Sequence, residues 1–125
     1  MNPQDLQYSK EHEWLRVAGD TGTVGITDHA QSELGDVIFV DFPQIGAKVE
    51  AGKTLGTIES VKAVSEIFSP VSGEILEVNK DLLTAPEVVN SDPYGKGWMV
   101  KVAVGNPADV DSLLDAAAYS SLVAQ

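Results

Sequence analysis

A chain of 125 residues, 43% of them hydrophobic, is long enough for one domain with a packed core and too apolar for a disordered polymer. Nineteen acidic residues against eight basic ones give a formal charge of −11. A surface that acidic repels phosphate backbones, excluding nucleic acid as a partner, and favours partners with basic patches. With no cysteine there is no disulfide framework, no thiolate metal site and no cysteine nucleophile.

Residues 1–7 are polar and read as a loose start. The first fourteen residues have neither an apolar signal core nor an arginine-rich presequence, and no apolar run approaches the roughly 20 residues of a membrane span. The expectation is a soluble, cytoplasmic bacterial protein or a processed one. Tyr8 to Val17 read as a strand, Ala18 to Gly22 as a turn and Thr23 to Ile26 as a second strand, giving an N-terminal hairpin over 8–26. A short helix is expected near 28–34, with Thr27 or Asp28 as its N-cap and Gly35 in a left-handed position after it. Asp36 to Phe42 is a strongly apolar strand, which Pro43 to Gly46 breaks. Lys48 to Glu50 leads into the next unit.

Two β-branched runs, Thr54 to Glu59 and Val64 to Phe68, flank the tetrapeptide Ser60-Val61-Lys62-Ala63. The spacing predicts a β-hairpin with Lys62 at its tip, although the turn lacks the usual Asn-Gly signal. A lysine on an exposed turn ordinarily serves solubility. Here it is the only basic residue between Lys53 and Lys80, with Glu59 and Glu66 on either side. Ser69 to Glu74 reads as a second tight connection feeding a strand over Ile75 to Val78.

Val49 to Leu55 matches Leu76 to Leu82 at an offset of 76 − 49 = 27, with Glu, Lys and Leu in register. Gly52 and Asn79, both tolerant of positive φ, coincide. The repeat suggests two related half-sheets packed as a sandwich. Over Leu83 to Asn90 the reading stays open: Pro86 opposes a helix through it, and Val88-Val89 fits a short edge strand. Asn90 to Gly97 is a loop. Trp98 to Val104 is the last strand, with Trp98, Val100, Val102 and Val104 on one face. From Asp109 a helix is expected, with Val110, Leu113, Leu114 and Ala117 at helical spacing, and then a second short helix through Tyr119 to Val123. These helices either cover one end of the sandwich or bind a partner helix.

The motifs Glu59-Ser60-Val61-Lys62-Ala63 and Ser69-Pro70-Val71-Ser72-Gly73-Glu74 resemble the lipoyl-attachment hairpin of the glycine cleavage H-protein family. The resemblance extends through His12-Glu13-Trp14, Val24-Gly25-Ile26-Thr27-Asp28-His29-Ala30-Gln31, Leu34-Gly35-Asp36-Val37, Ser91-Asp92-Pro93-Tyr94 and Gly97-Trp98-Met99. It implies a mainly β fold, a lipoyl/biotinyl-type β-sandwich (barrel-sandwich hybrid) with the short helix near 28–34 and C-terminal helices. One lipoyl-carrier domain would span 1–125, with its sandwich core over about 23–104 and its helical tail over 107–125.

The resemblance also implies that Lys62 carries lipoate as an amide on its ε-nitrogen. The chain would be a covalent carrier, not an enzyme. It would shuttle an aminomethyl group from glycine decarboxylase to an aminomethyltransferase and be reoxidised by dihydrolipoyl dehydrogenase, after a lipoate-attaching enzyme has installed the arm. A monomer with no membrane and no nucleic-acid partner is expected. Lysine suits that role, with four methylenes and an acylatable amine.

The resemblance further implies a polar cleft for the loaded arm near Glu13, with His29 and Glu66 as further candidates. A carboxylate there pairs with the cationic amine of the cargo. Each has an ordinary alternative: a solvated strand carboxylate for Glu13, an exposed or structural side chain for His29. His12 and His29 are the only histidines, too few for a zinc site without carboxylates at unsuitable spacing. There is no Gly-x-Ser-x-Gly elbow and no glycine-rich phosphate loop.

Competing readings are a lipoyl relay donating lipoate to 2-oxoacid dehydrogenases, a biotin carrier and a free-standing hydrolase. Valine and alanine beside Lys62, in place of the methionines usual around a biotinyl lysine, oppose the second. The missing nucleophile opposes the third.

Overall fold

The computed structural model describes residues 2–124. Met1 and Gln125, the two ends of the expected domain, lie outside the described residues. Two antiparallel sheets face each other, as the mainly β reading requires. The larger has six strands in the order β1 (Gln7–Tyr8), β2 (Glu13–Ala18), β3 (Thr21–Ile26), β9 (Val100–Val104), β8 (Gly73–Val78) and β5 (Lys48–Val49). The smaller holds β4 (Val37–Asp41), β6 (Thr54–Ser60) and β7 (Val64–Phe68) in that order. Apolar residues at alternate positions meet between them: Leu15, Val24, Ile75 and Val102 from one sheet, Val40, Ile58 and Ile67 from the other, all fully or nearly fully buried. Each such aliphatic side chain contributes about 1.5–3 kcal/mol by leaving water.

The strand expected over Tyr8 to Val17 is broken. Ser9 to His12 reverse the chain so that β1 folds back on β2, with Tyr8 opposite Trp14. His12 takes φ +72°, the only described non-glycine residue with a positive φ, and donates its N–H to Ser9 O. No Gly or Pro marks this turn, so composition gives no sign of it. The described part of the expected loose start is not loose either: Leu6 is buried and the Tyr8 hydroxyl donates to Pro3 O. The β2–β3 hairpin closes through the two-residue loop Gly19-Asp20, with Gly19 at φ +62°.

Helix α1 (Asp28–Leu34) forms where expected. The Thr27 hydroxyl accepts from Ala30 N–H at its start, and Gly35 ends it at φ +77°. Beyond β8 the chain departs from the strand reading. α2 (Asp81–Thr84) and α3 (Val88–Ser91) are single helical turns on either side of Pro86, so Val88-Val89 is helical and not an edge strand. Pro86 forbids one continuous helix but not the start of a new turn, and its carbonyl accepts from Val89 N–H.

The repeat diverges in the same region. Its first copy runs strand to strand around Gly52 at φ +83°, whereas its second runs from β8 into α2. Asn79 does not take a positive φ; its amide donates instead to Lys96 O and Trp98 O.

The tail is two helices, as expected, but the break between them falls earlier, so Val110 and Ala117 lie on different helices. α4 (Ala108–Asp111) ends as Leu114 pairs with Tyr8 across an isolated bridge, and Asp115 caps α5 (Ala116–Val123). Ala117, expected on the apolar stripe, is exposed. α5 and the N-terminal segment cover the outer side of β2, where Leu6, Tyr8, Trp14, Ala116 and Tyr119 form a second core. The first half of β2, Glu13 to Leu15, is thus buried on both faces. Trp14 points outward to this second core over Gly25, where an added Cβ would stand 2.6 Å from the indole. Glu13 and Leu15 point the other way, between the sheets.

Candidate functional site

Lys62 stands exposed at the tip of the β6–β7 hairpin. The turn is built without glycine because Ser60 supplies what a left-handed residue would otherwise provide. Its buried hydroxyl accepts from the N–H groups of Lys62 and Ala63, each at 3.2 Å, while Ser60 N–H donates to Ala63 O. Val61 N–H donates to Asp36 O, anchoring the tip to the start of β4. Val61 and Lys62 therefore form a two-residue loop with ordinary φ values on a fixed base.

The lysine side chain lies over the end of α1. An added Cβ at Gly35 would stand 3.1 Å from Lys62 Cε and 3.9 Å from its Nζ. Gly35 is thus required twice, for its positive φ and for the room it leaves the lysine.

The same helix leads to a cleft of about 360 Å³. One wall is α1, through His29, Ala30, Glu33 and Leu34. Another is the small sheet, through Ile58, Ser65, Glu66 and Ile67. The floor and far end come from Glu11, His12, Glu13 and Ile26. The three residues expected at an arm cleft, Glu13, His29 and Glu66, do line one cavity. They are not equivalent. Glu13 is 2% exposed, whereas Glu66 is exposed at the rim and receives a 3.3 Å bond from Thr54 Oγ1. His29 is half-buried, with Nε2 3.9 Å from a Glu33 carboxylate oxygen.

Glu13 has two partners. Ser9 Oγ donates to one carboxyl oxygen, and Phe68 N–H, on the open edge of β7, donates to the other at 3.2 Å. Neither bears a charge, so burial dominates and pushes the carboxyl up to about 7. Burial thus favours the protonated carboxyl, and a cation reaching it would favour the carboxylate.

His12, absent from the residues picked by sequence, sits beside it. Its ring is tilted against His29 with centroids 4.8 Å apart, and burial first, then the His29 ring, holds its pKa below the ordinary histidine value. Its Nδ1 lies 2.8 Å from the Tyr119 hydroxyl. Burial pushes Tyr119 up to about 12, so it keeps its proton at neutral pH. No local pattern marks Tyr119, because its partner is 107 residues away in the chain. Among the described residues no three His, Asp or Glu side chains are placed to hold a metal ion.

A two-sheet sandwich with a lysine-tipped hairpin and an adjoining acidic, partly apolar cleft has the form of a lipoyl-type swinging-arm carrier. Comparison with known proteins narrows the class. The model of the glycine cleavage H-protein family matches residues 6–125. The glycine cleavage system H protein of Carboxydothermus hydrogenoformans is 50% identical over 121 residues, covering 97% of this chain and 93% of the relative. That of Rubrobacter xylanophilus is 59% identical over 108 residues, or 86% of each chain. The crystal structure of a glycine cleavage system H protein from Mycobacterium marinum superposes with a TM-score of 0.91 at 38% identity, covering 98% of this chain and 99% of that one. The chain belongs to the glycine cleavage H-protein family, the lipoyl carriers of the glycine cleavage system.

Proposed function

We propose that Lys62 is the attachment point of the lipoyl arm and that the cleft ending at Glu13 is its resting place. The observation that carries this reading is the position of Lys62: exposed, on a braced hairpin tip, with its side chain over Gly35 at the end of the helix that walls the cleft. The fit is chemical as well as spatial. Ile26, Leu34, Ile58 and Ile67 give the cleft an apolar lining suited to a hydrocarbon chain, and Glu13 lies at its buried end.

When attached, a lipoyl group supplies a reducible disulfide able to take up and give up an aminomethyl group. The chain's own residues bind and shield. The amine of the cargo is a cation. Pairing with it favours Glu13 as the carboxylate, against the burial that raises its pKa. Ser9 and Phe68 N–H keep both carboxyl oxygens oriented meanwhile. Burial of that pair keeps water from the labile cargo. No nucleophile is required of this chain.

The partners are a glycine decarboxylase, an aminomethyltransferase, a dihydrolipoyl dehydrogenase and the enzyme that attaches lipoate. Each must reach the exposed tip. The test is loading with ¹⁴C-labelled glycine by a glycine decarboxylase. The lipoylated chain is expected to acquire the methylene carbon on its arm. Label that fails to join the lipoylated chain would refute the role.

A further inference from the structure

Tyr119 stands where three parts of the molecule meet. It lies on α5, fully buried, with its ring stacked on Tyr8 at a centroid distance of 4.7 Å and 9° between planes. Its hydroxyl is 2.8 Å from His12 Nδ1 and 2.7 Å from Thr27 Oγ1. The first lies on the floor of the cleft and the second at the start of the helix that forms one wall. Thr27 caps α1, the helix that presents His29 and Leu34, and its N–H donates to His12 O at 3.1 Å. His12 precedes Glu13 directly and holds a left-handed backbone at φ +72°, a conformation costly for a residue with a Cβ unless its surroundings fix it. One hydroxyl on the tail therefore ties the start of the helical wall to the strained residue that aims Glu13.

We propose that Tyr119 is a positioning residue: through His12 and Thr27 its hydroxyl sets the separation of the cleft walls, so the C-terminal helix governs how long a cationic load stays docked on Glu13. Without that hydroxyl the His12 ring loses the bond that fixes its tilt, and the turn it occupies is free to relax toward an ordinary φ. Either change shifts the Glu13 carboxyl relative to α1. The ring of Tyr119, Ala116 and the Leu114–Tyr8 bridge keep the tail in place without the hydroxyl, so packing and positioning are separable at this residue. The inference rests on the reading of the cleft as the arm's resting place.

The experiment uses the lipoylated full-length chain and three variants. Tyr119→Phe keeps the stacked ring and removes the hydroxyl. Tyr8→Phe removes a buried hydroxyl from the same aromatic pair, one that bonds only to the N-terminal segment at Pro3 O. Glu13→Gln removes the docking charge. Two quantities are read: the ¹⁵N shifts of the His12 ring across pH in the unloaded protein, and the rate at which the aminomethyl load is lost to water.

Tyr119→Phe is expected to shift the His12 ring nitrogens and the midpoint of their titration. It should also speed loss of the load about tenfold, the effect of one buried hydrogen bond. Tyr8→Phe should change neither by more than about twofold. Unchanged His12 shifts, unchanged retention, or equal acceleration in Tyr8→Phe would overturn the inference. If Glu13→Gln speeds loss and Tyr119→Phe does not, the cleft reading stands and the role of Tyr119 fails. If Glu13→Gln has no effect, the cleft reading fails and takes this one with it. Should Tyr119→Phe not fold, His12→Asn tests the contact from its other side, since asparagine tolerates the left-handed backbone but cannot reach the hydroxyl. Faster loss supports the proposal and unchanged loss contradicts it.

Discussion

Glu13 is the residue where burial and function pull against each other. An ionised carboxylate held by two neutral donors in a closed cleft is costly, so the folded chain binds a proton there that the unfolded chain has already lost by pH 7. The sign follows. Because the folded pKa of about 7 lies above the unfolded 4.5, the stabilisation is fully present below about pH 4.5 and is lost as pH rises to 7. Glu13→Gln, whose amide can serve both neighbours, should remove this dependence. Denaturant titrations of both proteins at pH 4.5 and pH 8 should show the parent losing about 3 kcal/mol relative to the variant across that window. A constant difference would show that Glu13 titrates normally. Single residues were legible in the sequence where their chemistry was local. Lys62 is a lone cation on a predicted turn, whereas Glu13 was singled out only through the family resemblance of His12-Glu13-Trp14. His12 and Tyr119 were not, because their meaning depends on a contact between opposite ends of the chain.

The hairpin that bears Lys62 was legible as an element because β-branched residues repeat on either side of a short polar break. What closes it was not. The missing Asn-Gly signal is replaced by one serine, whose hydroxyl takes both turn amides. Ser60→Ala should cost about 1 kcal/mol and loosen the tip while leaving the two sheets paired. Hydrogen exchange at Lys62 and Ala63 should quicken in that variant, with β8 and β9 unchanged; equal exchange at the tip would show that the strands alone set the turn. Elements failed to show in the sequence where a tertiary contact overrode a local pattern. The helical spacing of Val110, Leu113, Leu114 and Ala117 is real, but Leu114 pairs with Tyr8 and Asp115 starts a new helix. Tyr8 to Val17 looks extended throughout, yet Ser9 bonds back to Glu13 and folds β1 over. Val88-Val89 suits a strand by composition, but the turn after Pro86 draws it into a helix that buries Val89.

At the scale of the whole molecule the charge of −11 is spread thinly among few partners. Two lysine–glutamate ion pairs, Lys48–Glu74 and Lys101–Glu77, occur among the described residues, so most of the nineteen carboxylates repel one another unopposed. Added salt should screen that repulsion and raise the melting temperature between 10 and 200 mM NaCl, scales at which the Debye length falls from about 30 Å to below 10 Å. A falling melting temperature would mean that the ion pairs outweigh the repulsion. The central claim is that this acidic sandwich exists to present one acylatable amine. Intact-mass measurement after treatment with a lipoate-attaching enzyme tests it most directly. The parent chain should gain one lipoyl group, mapped by peptide digestion to Lys62, and folded Lys62→Arg should gain none. A lipoyl group on any other lysine, or on Lys62→Arg, would contradict the account.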